Sequence, residues 1–113
     1  MYEEDHPLVL VVCDELERLR RARESLRAAG FLPASGRSIA AAVSLLAQVR
    51  VDACVVCQPI SVEDAERLRG VLERFRPGCP KLCVREYVAA DPPGWVVCAE
   101  CDLTTATAAA FAV

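Results

Sequence analysis

Three cysteine spacings are the first chemistry the chain offers: Cys54-x-x-Cys57, Cys79-x-x-x-Cys83 and Cys98-x-x-Cys101. Thiolates at such intervals hold zinc when their sulfurs converge on one point. The apolar run around Cys54 and Cys57 predicts a strand, where residues three apart face opposite ways, so that pair cannot share an ion. Cys79 and Cys83 share a face in extended chain but lie about 13 Å apart at roughly 3.3 Å per residue. Only Cys98 and Cys101, at a strand end, could pinch a metal. Small buried thiols filling Val- or Ala-sized core positions are the plainer reading, and no metal or other cofactor is expected. His6, beside acidic residues and without a partner at helix or strand spacing, suits a solvated turn rather than a ligand or base. No glycine-rich phosphate loop and no Ser-His-Asp set is visible.

The elements that must position these residues alternate. Leu8 to Cys13 is continuously apolar and rich in valine, which predicts a strand buried on both faces of a parallel sheet. Asp14 with Glu17 three residues on has capping-box spacing, and Leu16, Leu19, Arg23 and Leu26 trace a helical stripe that Gly30 stops. Phe31 to Ala34 predicts a short strand, Ser35-Gly36 a turn, and Ser38 the cap of a helix with Ile39, Val43, Leu46 and Ala47 inward. Val51 to Cys57 predicts the third strand. Ser61 with Asp64 opens a third helix striped by Ala65, Leu68, Leu72 and Phe75, closed by Pro77-Gly78. Lys81 to Val84 and, after Pro92-Pro93-Gly94, Trp95 to Cys98 predict two more strands before a last helix from about Leu103 to Phe111. Alternation of this kind implies βαβ crossovers and a parallel sheet covered on both faces, in a single domain over residues 1–113.

Charge and composition remove several classes. Thirteen basic residues against sixteen acidic ones leave a formal charge of −3, so nucleic acid is not an expected partner. A hydrophobic fraction of 54% exceeds the usual range of roughly 45–50% and argues for a folded core. Leu8 to Cys13 is preceded by Glu3, Glu4 and Asp5 rather than by basic residues, so neither a signal peptide nor a membrane span is expected, and the location expected is the cytoplasm. An odd count of seven cysteines without an export signal then reads as reduced thiols. Lys81 is the only lysine. Arg18, Arg20, Arg21, Arg23 and Arg27 alternate with Glu15, Glu17 and Glu24, the pattern of a solvated helix face laced by i, i+4 pairs, with a docking surface as the alternative.

Taken in order, Leu8 to Glu15, Leu26-Arg-Ala-Ala-Gly30-Phe31, Ala34-Ser-Gly36 and Val51-Asp-Ala-Cys-Val-Val-Cys57 resemble the successive landmarks of response-regulator receiver domains. The resemblance spans nearly the whole chain. It implies a flavodoxin-like α/β fold whose five parallel strands run in order 2-1-3-4-5, with helices on both faces and function at the carboxyl ends of the first and third strands. The family transfers a phosphoryl group to an aspartate ending the third strand. An acidic pair after the first strand holds Mg²⁺, a hydroxyl residue ends the fourth strand and a lysine ends the fifth. Position by position, the acidic pair falls on Cys13 and Asp14, with Glu15 adjacent, and the nucleophile on Cys57. The hydroxyl falls on Arg85, the lysine on Cys98, and the aromatic switch position on or near Trp95. The connection from Val84 to Trp95, with two prolines, is too short for a full fourth helix, which should be shortened or absent.

These departures imply a degenerate receiver that does not accept phosphate at an aspartate. Such a domain is not an enzyme and acts by binding a protein partner, with homodimerisation open and Tyr87 and Trp95 as interaction aromatics or ordinary packing residues. The alternative is a thiol-based redox or soft-metal sensor in which Cys13, Cys57 and Cys98 occupy the former phosphorylation pocket and Arg85 supplies positive charge. A third reading, an active receiver using Asp14 or Asp52, requires a register shifted by several residues. Asp14 as a helix N-cap explains that residue without a metal.

Overall fold

The computed structural model describes residues 6–111; Glu3, Glu4 and Asp5, on which the leader argument rests, lie outside them. Five strands form one parallel sheet: β1 (Leu8–Val12), β2 (Leu32–Gly36), β3 (Ala53–Val56), β4 (Lys81–Val84) and β5 (Val96–Cys98). Their order is β2-β1-β3-β4-β5, as the resemblance implied. Helices α1 (Leu16–Ala28), α2 (Ile39–Leu46), α3 (Val62–Phe75) and α4 (Leu103–Phe111) connect or follow the strands. No described helix is long and apolar enough to cross a membrane.

Strand periodicity divides the core in two. Val9, Val11, Val55, Leu82 and Val84 pack with Leu19 and Leu26 of α1 and Leu103 of α4. Their neighbours Leu10, Val12, Cys54, Val56 and Cys83 pack on the other face with Ala42 and Leu46 of α2 and Ala65, Leu68 and Leu72 of α3. Both faces of β1 and β3 are therefore covered, which is why those segments are uninterrupted apolar runs. Cys54 and Cys57 fall on opposite faces, as strand geometry requires.

The helix ends follow local chemistry. The Ser38 hydroxyl accepts from the Ala41 amide and the Ser61 hydroxyl from the Asp64 amide, each at 3.0 Å, so both serines cap as their spacing predicts. At the end of α1, Gly30 takes a φ of 94° and lets the Phe31 amide return to the Leu26 carbonyl at 3.0 Å. The N-cap of α1 is a correction. Glu15, not Asp14, closes that end, its carboxylate accepting from the amides of Glu17 and Arg18. The helix consequently starts at Leu16, which is 63% exposed instead of inward, and Leu19 and Leu26 carry the buried stripe.

β2 is the second correction. It runs through Ser35 and Gly36, which the sequence suggested as a turn, and Gly36 pairs with Val12. An edge strand lacks the apolar signature of a central one, and Gly36 lets α2 approach closely, since a Cβ there would lie a tight 3.3 Å from the Ala42 backbone. Phe31 contributes to the core, its ring 5.5 Å from that of Phe111. Between β4 and β5 the fourth helix is reduced to a single 3₁₀ turn, Arg85–Tyr87, and a second such turn, Glu100–Asp102, leads into α4.

The two-faced core sets a mutational contrast. Leu10→Ala, at a fully buried site, should lower the free energy of unfolding by about 2–5 kcal/mol, whereas Leu16→Ala should change it by less than about 0.5 kcal/mol. Urea denaturation with a common m-value checks both.

Candidate functional site

The sheet register brings β1 and β3 to the same level at their carboxyl ends, since Val12 pairs with Val56 and the following residues are Cys13 and Cys57. This is also where strand order reverses, β2 lying on one side of β1 and β3 on the other. Cys13 is fully buried, and its thiol donates to the Cys57 carbonyl at 3.2 Å. Cys57 is 1% exposed.

Arg18, in the first turn of α1, is the residue that organises this end. Its Nη1 donates to the Cys57 carbonyl at 3.2 Å and to the Cys13 sulfur at 3.8 Å, and forms an ion pair with Asp14 at 3.9 Å. The guanidinium carbon stands 4.9 Å from the centre of the Tyr87 ring, a cation–π contact that ties α1 to the 3₁₀ turn after β4. The Tyr87 hydroxyl reaches Glu100 at 3.4 Å, and Glu100 in turn lies 3.7 Å from Arg21. Sequence reading placed Arg18 in a solvated arginine run. Spacing gave no signal for it, because Asp14–Arg18 and Arg20–Glu24 are both i, i+4 pairs, and only the docking of α1 puts Arg18 on the side that meets the strand ends.

The remaining candidates separate from this group. Arg85 is exposed and donates to the Val97 carbonyl at 3.3 Å, so Arg18, not Arg85, supplies the positive charge beside the thiols. The Cys98 sulfur points to the Cys83 carbonyl at 3.8 Å, and no hydrogen bond joins it to Cys13 or Cys57 among the described residues. Trp95 is 8% exposed and donates its indole N–H to the Ala65 carbonyl at 3.2 Å, so it packs against α3 rather than presenting an anchor. Asp52 and Lys81 sit at the opposite end of the sheet. Asp52 accepts from the Leu8 amide and pairs with Arg76, while buried Lys81 pairs with Glu73. His6 meets the Gly30 carbonyl at 2.9 Å and is exposed.

The donor set at Cys13, Asp14 and Cys57 does not fit a hard divalent cation. Only the Asp14 carboxylate remains, and it already faces Arg18 at 3.9 Å, because Glu15 is spent on the helix cap, where two backbone amides hold its carboxyl below the usual range. The thiol of Cys13 is a poor ligand for Mg²⁺, and the Cys57 carbonyl already accepts from a guanidinium. Among the described residues no three His, Cys, Asp or Glu side chains converge in a metal-binding group. Beside Arg18 a cleft of about 380 Å³ opens between α1 and α4, with Cys57 on its floor and Cys101 on its wall.

Burial governs the thiols. It pushes Cys54 and Cys57 upward, Cys57 additionally through Cys13, and raises Cys79 and Cys83 to about 11. Cys101 is the exposed one of the seven.

No protein-family model matches the chain, nor does any curated protein. Solved structures do. A response regulator receiver protein from Sinorhizobium medicae WSM419 superposes with a TM-score of 0.77 at 20% identity, over 96% of this chain and 97% of that one. The signal receiver domain of an HD domain-containing protein from Pseudomonas fluorescens Pf-5 gives 0.71 at 17% identity, over 96% of each chain. A CheY-like receiver domain protein from Methanospirillum hungatei JF-1 gives 0.70 at 13% identity, over 93% of each. The chain thus has the CheY-like, flavodoxin-like receiver fold.

Two outcomes follow from the thiol environments. In the folded, reduced protein one thiol, Cys101, should react promptly with a disulfide reagent while the six buried ones react only on unfolding; the Cys101→Ser variant, losing the fast phase, checks the assignment. The second concerns pH. A thiol whose folded pKa is raised keeps a proton that the unfolded chain releases near about 8.5, so its stabilisation is complete below that pH. As pH rises towards the folded value, stability should fall by about 1.4 kcal/mol per pH unit for each such thiol. Urea unfolding under reductant between about pH 8 and pH 10 should show this decline, shallower in Cys83→Ala.

Proposed function

We propose that this chain is a receiver-like signalling domain of the two-component type that takes no phosphate on an aspartate, is not an enzyme, and acts in the cytoplasm by binding a protein partner. The observation that carries the reading is Arg18: its guanidinium occupies the carboxyl ends of β1 and β3, against the Cys57 carbonyl and Asp14, where the receiver family brings a metal and an aspartate together. Two thiols and a fixed cation give phosphoryl transfer neither the carboxylate nucleophile nor the paired metal-binding oxygens it needs.

The same contacts support a static signalling surface. Arg18, Tyr87, Glu100 and Arg21 bridge α1 to the turns after β4 and β5, which ties that rim together. A partner, a second copy of the chain among the candidates, would read this side in one state. The buried state of Cys13, Cys57 and Cys98 speaks for packing over thiol sensing.

Incubation with acetyl phosphate and Mg²⁺, followed by intact mass and hydroxylamine treatment, tests the reading. No phosphoryl adduct is expected, and the amide spectrum should not change on adding Mg²⁺ with beryllofluoride. A hydroxylamine-labile adduct on Asp14, Asp52 or any other carboxylate would overturn it.

A further inference from the structure

The cleft beside Arg18 has a use that the strand ends do not exhaust. All of the polar contacts of Arg18 run through Nη1, to the Cys57 carbonyl, the Cys13 sulfur and Asp14. Its Nε and Nη2 hydrogen-bond to nothing among the described residues, although the side chain is only 22% exposed and lines the cleft. Arg21, three residues on and on the same helix face, lines it too. Its nearest carboxylate, Glu100, stands at 3.7 Å, an ion pair beyond hydrogen-bond reach, and Glu100 is also engaged by the Tyr87 hydroxyl at 3.4 Å. Two guanidinium groups with unspent planar donors thus line the cleft beside one carboxylate, Glu100, because Asp14, the ion partner of Arg18 Nη1, is not part of the lining; the lining itself carries one more positive than negative charge.

We propose that this cleft between α1 and α4 binds a small organic oxyanion, a carboxylate or a phosphate monoester, on the Arg18 and Arg21 guanidinium groups. The Nε–Nη2 edge of a guanidinium matches two oxygens of either group at once, which an ammonium cannot do, and the charge count leaves room for the anion without stripping Glu100 from Tyr87. The volume of about 380 Å³ lies within the range of small-molecule sites and exceeds what an inorganic oxyanion fills. The remaining wall combines the apolar Leu103 with the hydroxyl residues Ser25 and Thr104, which suits a compact body carrying a hydrogen-bonding group. A ligand held there would touch α1 and the turn after β5, the elements that Arg18 and Glu100 couple to Tyr87. The site stands whether or not the chain accepts phosphate at an aspartate.

Benzoate, phenyl phosphate and inorganic phosphate, each titrated into the folded protein at constant ionic strength and followed by amide chemical shifts, test the proposal. Saturable shifts confined to α1 and residues 100–104 are expected with benzoate, phenyl phosphate or both, and the probe that saturates identifies the oxyanion. Arg21→Gln should weaken that binding at least about tenfold. Arg20→Gln, which removes the same charge from the outward face where Arg20 pairs with Glu17 and Glu24, should leave it unchanged. Shifts that rise linearly with every probe, or equal losses in the two variants, would overturn the site. Inorganic phosphate binding as tightly as phenyl phosphate would overturn the organic ligand.

Discussion

Burial of β1 and β3 on both faces is the constraint from which the rest of this structure follows. Val9 to Val12 and Ala53 to Val56 have no solvent exposure, so no polar side chain can be carried along either strand without an unmet desolvation cost. Polar chemistry is driven to the two rims of the sheet. At the amino rim it is consumed by structure: Asp52 accepts from the Leu8 amide and pairs with Arg76, and Lys81 is pinned between Glu73 and the Cys79 carbonyl. The carboxyl rim is where charge is left with donors unspent.

That rim is built around a cation that belongs to the chain. Arg18 hangs from α1 but makes its contacts with the ends of β1 and β3 and with the turn after β4. A metal ion can leave and a guanidinium tethered to a helix cannot, so the charge at this end is constant over the pH range in which arginine stays protonated. Burial favours the neutral thiol at Cys57, and Arg18, Arg21, Asp14 and Glu100 are the charged groups that set the local field. The shortened β4–β5 connection matters here too, because its single 3₁₀ turn is what brings Tyr87 under the guanidinium.

Much of this was legible from residue order. The continuous apolar runs announced β1, β3 and β4, the Ser38 and Ser61 caps announced two helix starts, and Leu103 to Phe111 announced the last helix. β2 was misread at Ser35-Gly36 because an edge strand has one neighbour and no continuous burial to mark it. The cap of α1 was misplaced by one residue: Asp14 and Glu15 are both acceptable caps by type, and the choice depends on where β1 stops and how the helix must tilt to dock. Trp95 was ambiguous for a similar reason, since an aromatic before an edge strand serves an interface or a core equally well until α3 is placed beside it.

For the site, the sequence by itself determined which groups exist: cysteines rather than carboxylates at the ends of β1 and β3, Asp14 and Glu15 beside the first, and arginines on the first helix. Strand alternation also separates Cys54 from Cys57 by sequence alone, and the two lie on opposite faces of the sheet. Only the tertiary structure decided that Arg18 and not Arg85 meets the thiols, and that Cys98 turns away towards Cys83. Asp14 with Arg18 and Arg20 with Glu24 are both i, i+4 pairs, indistinguishable by spacing. What separates them is the rotation of α1 about its axis when Leu19 and Leu26 lock into the sheet: that packing turns Arg18 towards the strand ends and Arg20 towards water.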